Sequence, residues 1–211
     1  MKNVLAIIGA GDLGQHIAHY ARLTEDFTAI VFVDDIMSAG SHNFGEVLGG
    51  LSQIKKLIRT NEIQNLLIGI GYKHMQKRKE LYEMYKSSLR IPNIIHPSCY
   101  VDSSAIIGKG NILLPGCIID KGCKIGNNIF FNPGTIIAHD CEIQDNAFFG
   151  AGVNISSFVR TGSCCFFGTG TSTVNGITIG DNINTGAGTI VTANINEPGT
   201  YVGIPARKFN Q

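Results

Sequence analysis

The sequence contains no tryptophan, and only 16% of its residues are charged. Lysine and arginine number 17, aspartate and glutamate 16, so neither sign dominates. Without a basic excess there is no electrostatic footprint for nucleic acid or an anionic membrane surface, and neither is expected as a partner. No apolar run reaches the length of a bilayer span. The apolar start, Met1 to Ala10, lacks the basic n-region and cleavage site of a secretion signal and reads as a first buried strand. A soluble, cytoplasmic chain is expected. The six cysteines include no Cys-x-x-Cys, so the usual sequence sign of a zinc site or redox dithiol is missing, and no metal is expected. Gly-x-Ser-x-Gly is missing as well, which excludes the strained nucleophile turn of the serine hydrolases.

Glycine is what the sequence has in quantity, 26 of 211 residues. With charge so sparse, that points to many tight turns around a repetitive β core. From about residue 98 the repeat can be read directly. Every sixth residue from Val101 is Val101, Ile107, Leu113, Ile119, Ile125, Phe131, Ile137, Ile143, Phe149, Ile155, Thr161, Phe167, Thr173, Ile179, Thr185 and Val191. Two positions before each sits a smaller side chain, such as Ala105, Cys117, Cys123, Thr135, Cys141, Ala147 and Val153. A helix drifts off any period of six and a plain strand repeats at two. A short strand plus a corner, repeated as a hexapeptide solenoid, accounts for it. Phe131, Phe149 and Phe167 are 18 residues apart, so three hexads per triangular coil would stack them at strand spacing, about 4.8 Å. The Phe column is read as core packing, and the cysteines, five of which share the inward phase, as small buried fillers. Cysteines stacked in adjacent coils, as Cys99 and Cys117 would be, fall within disulfide reach.

Residues 1–94 have a different rhythm. Val4 to Ile8 reads as a strand, followed by Gly9-Ala10-Gly11-Asp12-Leu13-Gly14 and an amphipathic helix through about Leu23. Thr28 to Val33 and Asn65 to Ile70 read as strands, Leu51 to Thr60 and His74 to Ser87 as helices. This is a βαβαβα unit, half the size of a complete dinucleotide fold. Its glycines would let the backbone approach a pyrophosphate at a helix N-terminus. Three uses stay open: a dinucleotide, a nucleotide-sugar or related ligand, and a docking module without ligand. The fold expected is therefore an N-terminal half-Rossmann α/β domain, 1–94, followed by a β-helix, 95–211.

Four stretches carry a resemblance: Ile8-Gly9-Ala10-Gly11 with Val33-Asp34-Asp35; Ile95-His96-Pro97-Ser98 at the start of the repeats; His139-Asp140 within them; and Tyr201-Val202-Gly203-Ile204-Pro205-Ala206-Arg207 at the end. With these, nearly the whole chain resembles the bacterial sugar O-acyltransferases of the sialic-acid O-acetyltransferase type, close to the UDP-4-amino-sugar N-acetyltransferases of glycan synthesis. The resemblance implies a homotrimer of left-handed β-helices, with acetyl-CoA or another acyl-CoA as co-substrate held between neighbouring solenoids. It implies that the N-terminal domain presents a nucleotide-sugar acceptor.

The site residues follow from that resemblance. His139 stands where the family has its general base, with Asp140 as the acidic neighbour that orients the ring and favours its charged form. Read from the residues alone, His139 is equally a solvated corner histidine. For acyl-CoA the family positions are Phe148, Thr169 and Ala187, with backbone amides doing most of the work at the last two. Plain solenoid corners are the alternative there. Arg207 and Lys208 could meet CoA phosphates or form a solvated end. For the acceptor the match indicates Gly11, Asp12 and Leu13 in the first turn, Asp34 and Asp35 after the second strand, and Gly71 after the third. An ordinary polar strand end is the alternative for the two aspartates. Many relatives carry histidine at the position of Phe148 and Gly-His-Gly where Asp12-Leu13-Gly14 stands, and Ser157-Phe158 replaces a usual glycine-containing turn. The activity implied is transfer of an acetyl or similar group to a sugar amine or hydroxyl. A catalytically silent sugar-nucleotide-binding or scaffold trimer of the same fold is the competing reading. A metal hydratase on the same solenoid would need three convergent imidazoles, and only His96 and His139 lie in the repeats.

Overall fold

In the computed structural model, which describes residues 2–24 and 26–209, the chain divides into two compact units, Met1–Ile94 and Ile95–Gln211. The first contains, in chain order, β1 (Val4–Ile8), α1 (Asp12–Leu23), β2 (Ala29–Val33), β3 (Gly40–His42), β4 (Gly45–Val47), α2 (Ile54–Arg59), β5 (Asn65–Ile68) and α3 (Met75–Tyr85). Leu5 to Ile8 are buried, as strands of a parallel sheet covered on both sides must be. β1 is central, paired in parallel with β2 on one side and β5 on the other. The helices bury their apolar stripes, Ile17, Ala18 and Ala21 in α1 and Leu81, Tyr82 and Tyr85 in α3.

The Rossmann-like α/β unit expected from the sequence is present, with one addition. β3 and β4 form a small hairpin, β4 running parallel to β2, so the sheet order is β3-β4-β2-β1-β5. Each of these strands has three residues, and Ser41, His42 and Glu46 are polar. So short and polar an edge leaves no period-two signal to read.

The second unit is a parallel β-helix with three faces. Face one stacks Tyr100–Val101, Ile118–Ile119, Ile136–Ile137, Asn154–Ile155, Ser172–Thr173 and Ile190–Val191; face two stacks Ile106–Ile107, Lys124–Ile125, Glu142–Ile143, Arg160–Thr161 and Thr178–Ile179. Face three includes Ile112–Leu113, Phe130–Phe131, Phe148–Phe149, Phe166–Phe167 and Ile183–Thr185, and closes with the antiparallel pair Gly199–Val202 and Arg207–Lys208. Strand partners within the repeats are 18 residues apart, for example Phe131 with Phe149, and 16 apart where Thr185 pairs with Tyr201 at the end of face three. The inward phase read from the sequence is the core: Leu113, Ile119, Phe131, Ile137, Phe149, Ile155 and Phe167 are completely buried. Phe149 stacks 4.8 Å from Phe131 and 4.7 Å from Phe167, with ring planes 7° and 12° apart.

The six cysteines are free thiols. Each of the five inward ones donates to a carbonyl 15 residues on: Cys99 to Leu114, Cys123 to Ala138, Cys141 to Ser156 and Cys165 to Gly180 at 3.1 Å, and Cys117 to Asn132 at 3.2 Å. Each filler is thus also a weak tie between coils. Corners turn through left-handed backbone. Glycine supplies most of them, but Asn128, Asp140, Asn146, Phe158, Cys164 and Asn182 also have positive φ. Asn128 Nδ2 donates to buried Asn146 Oδ1 at 2.8 Å, tying the same corner position in adjacent coils.

Candidate active site

His139 and Asp140 occupy the corner between the face-one strand Ile136–Ile137 and the face-two strand Glu142–Ile143. Two steps past inward Ile137 the chain leaves the core, and His139 projects half-exposed. Asp140 turns through φ +59°, which brings its carboxylate back beside the preceding residue. His139 Nδ1 lies 2.9 Å from Asp140 Oδ2. A hydrogen on Nδ1, donated to that carboxylate, leaves Nε2 as the basic nitrogen. The edge-to-face ring of Phe158, 5.0 Å away at 87°, meets the imidazole from the next coil.

The three positions expected at the acyl donor separate into two environments. Phe148 points outward from face three, yet it is 7% exposed, stacked 4.8 Å from Phe130 and tilted 6.0 Å from Phe166. Little of its ring is open. Thr169 and Ala187 are exposed and occupy the same corner in successive coils, with Gly188 N donating to Thr169 O at 2.8 Å. A Cβ on Gly150 would lie 2.5 Å from Thr169 N, and one on Gly168 2.8 Å from Ala187 N, so both glycines are required by coil stacking. Among the described residues, neither the Thr169 nor the Ala187 amide donates a hydrogen bond. Two exposed N–H groups one coil apart suit the carbonyl acceptors of an acyl-pantetheine chain.

The Thr169 corner links face three to face one, the His139 corner face one to face two. In a single chain, one side of the triangle and two coils separate Thr169 from His139.

In the first unit, Gly9 (φ +97°), Gly14 and Gly69 close the turn after β1 onto the end of β5: a Cβ on Gly14 would fall 1.9 Å from Gly9 O. Gly11 caps α1 with extended backbone and open space around it, Asp12 is exposed, and Leu13 is half-buried. Gly71 follows β5 with equally open space. The chain passes from β1 to β2 on one side and returns to β5 on the other, so these turns flank the crevice at the carboxyl ends of β1 and β5, the switch point where α/β sheets bind ligands.

The two aspartates differ. Asp34 Oδ2 accepts from Ala10 N at 2.7 Å, and Oδ1 from Ile36 N at 2.7 Å and Met37 N at 2.9 Å. Burial by itself would raise its pKa, but those three donors outweigh it and hold the carboxyl below the usual range. Asp34 therefore braces the first turn against the second strand. Asp35 is exposed, and its Oδ1 accepts from Leu51 N at 2.7 Å.

Arg78 was not singled out from the sequence. It is 1% exposed, and Nη1 donates to the carbonyls of Ile68 at 3.1 Å and Ile70 at 2.7 Å, fixing the segment that leads to Gly71. The signal was there: Arg78, Leu81, Tyr82 and Tyr85 are spaced as one helical stripe.

Residues 4–85 match the PglD N-terminal domain, and residues 122–157 match the bacterial transferase hexapeptide family of six repeats. The structure is similar to the acetyltransferase domain of PglB from Neisseria gonorrhoeae FA1090, at 27% identity over 99% of this chain and 100% of that one, TM-score 0.88. A second structure of that domain, in complex with acetyl coenzyme A, is 26% identical over the same share of both chains, TM-score 0.88. PerB from Caulobacter crescentus, in complex with CoA and GDP-perosamine, is 25% identical over 99% of this chain and 98% of that one, TM-score 0.91.

The match is to the sugar acyltransferases.

No curated protein sequence matches the chain. The first family match contains Gly11 to Leu13, Asp34, Asp35 and Gly71, the second His139, Asp140 and Phe148; Thr169, Ala187 and Phe158 lie beyond both. These findings support an acyltransferase. Among the described residues, no helix is long and apolar enough to cross a membrane, and no cluster of three or more His, Cys, Asp or Glu could hold a metal ion.

Proposed function

We propose that the chain transfers an acetyl or similar acyl group from acyl-CoA to an amino or hydroxyl group of a nucleotide-activated sugar, with His139 as general base. The observation that carries this is the His139–Asp140 pair, 2.9 Å apart on a half-exposed corner. The acceptor nitrogen or oxygen attacks the thioester carbonyl, and His139 Nε2 takes its proton. Asp140 stabilises the resulting imidazolium and keeps Nδ1 engaged, as the carboxylate of a catalytic triad does. The tetrahedral intermediate collapses with cleavage of the C–S bond, and the proton on Nε2 passes to the departing CoA thiolate.

Acyl-CoA is held at the corner column of Thr169 and Ala187, where the two open amides support binding of its amide and carbonyl groups. Phe148 contributes at most an aromatic edge, since its ring is packed between Phe130 and Phe166. The acceptor sits against Gly11, Asp12, Leu13 and Gly71, with Asp35 as the better placed carboxylate. The active unit is a homotrimer. Tyr100 and Ile118 expose apolar surface on the outer side of face one, in the two coils that precede the His139 corner. Covering that face with a second copy supports a cleft in which one protomer's His139 meets its neighbour's Thr169 corner.

The test is His139→Ala. Acetyl transfer to a panel of UDP- and GDP-linked 4-amino-sugars should fall by about 10²- to 10⁴-fold, the range for a general base, while the oligomer persists in analytical ultracentrifugation. Turnover at the unsubstituted rate would remove His139 from the mechanism. Absence of any calorimetric heat with acetyl-CoA would favour the silent scaffold.

A further inference from the structure

We propose that Phe158 is a positioning residue for His139, holding the imidazole so that Nε2 faces the acceptor; this rests on the acyltransfer reading above. Residues 122, 140, 158 and 176 form one column of corner positions with φ of +69°, +59°, +61° and +72°. Glycine fills the first and last. The left-handed region presses the Cβ of an L residue toward the following carbonyl, and a bulky side chain there is an outlier. Asp140 has a polar reason to be in the column, because the turn aims its carboxylate at His139. Phe158 has neither a polar group nor a buried niche: it is 55% exposed. Core packing therefore does not account for it.

What it touches does. Its ring lies 5.0 Å from the His139 ring at 87°, the favoured edge-to-face geometry. Its amide donates to His139 O at 3.2 Å, so the two rings are tied through the backbone as well. An imidazole turns freely about its last side-chain bond, where the torsional wells are broad. Asp140 fixes Nδ1 by a single hydrogen bond at a half-exposed site, which leaves the ring room to tilt about that bond. A ring set at right angles removes that freedom. Strained residues of this kind gather where the geometry they impose is used.

The prediction separates stability from catalysis, because here they move in opposite directions. In the full-length protein, Phe158→Gly restores the residue the corner prefers, so its melting temperature should rise. Its kcat for acetyl transfer to UDP- and GDP-linked 4-amino-sugars should drop roughly ten- to hundred-fold, the scale of a misplaced catalytic group. KM for acetyl-CoA should be unchanged, and Phe158→Tyr should keep a kcat close to that of the unsubstituted chain. NMR of histidine-labelled protein gives a readout without an acceptor. The His139 ring protons should show nuclear Overhauser contacts to Phe158 and should shift in Phe158→Gly. An unreduced kcat in that variant, a loss confined to KM, or unmoved His139 resonances overturns the proposal. If His139→Ala is inactive while Phe158→Gly is fully active, the positioning role alone falls. If His139→Ala keeps full turnover, the acyltransfer reading falls with it. A protein inert toward every acceptor tried is still judged by the NMR measurement.

Discussion

Phe149→Ala tests the stacking on which both corners of the site depend. Phe149 is fully buried, with Phe131 at 4.8 Å below it and Phe167 at 4.7 Å above, both nearly parallel. Truncating a buried Phe to Ala costs about 3–5 kcal/mol through lost transfer energy and the cavity left behind. A stacked aromatic pair contributes about 0.5–1.5 kcal/mol beyond area, and Phe149 loses two such pairs. The cost should therefore lie at the upper end, about 5 kcal/mol. Phe131 and Phe167 sit at the ends of the column, over Leu113 and under Thr185. Each loses one pair, so Phe131→Ala and Phe167→Ala should each cost about 1 kcal/mol less. The Phe149/Phe167 double mutant should show coupling of about 0.5–1.5 kcal/mol, since contacting residues are not additive. Urea unfolding followed by far-UV circular dichroism reads these values; protomer concentration must be held fixed, because assembly adds to apparent stability. Equal costs at the three positions, or coupling indistinguishable from zero, would refute a column in which each coil is stabilised by its two neighbours.

Two further outcomes probe the first unit. Gly14→Ala should destabilise it by about 3 kcal/mol or more in the same unfolding assay, because the new Cβ falls 1.9 Å from a backbone oxygen that cannot swing aside. Asp34→Asn should weaken the first turn by about 1.5–3 kcal/mol near neutral pH, the value of a hydrogen bond to a charged group. Since the folded carboxyl titrates below its ordinary 3.8, its contribution is complete above that pH and is lost as pH falls through the folded value. The gap between variant and unsubstituted protein should thus close in acid, and a gap that persists below the folded value would contradict the assignment.

The sequence alone determined the β-helix. A hydrophobic side chain at each sixth position has one economical burial, a three-faced coil, and that same arithmetic placed Phe131, Phe149 and Phe167 in one column and His139 at a corner. The Rossmann-like unit was legible for a similar reason, since Val4 to Ile8 and Leu66 to Ile68 are apolar runs that only a covered parallel sheet can bury. The hairpin of β3 and β4 was not legible, because two strands of three residues borrow their stability from β2 and carry no period of their own.

Tertiary structure decided what individual side chains do. Asp34 and Asp35 are equivalent as letters, yet the fold spends one on three backbone amides and leaves the other exposed. Phe148 and Phe149 are neighbours of one type, and pleating sends them to opposite sides of a strand. Phe158 meets His139 although they are 19 positions apart, since one coil is 18 residues long. Such pairings depend on distances between coils, and those exist only once the chain has stacked.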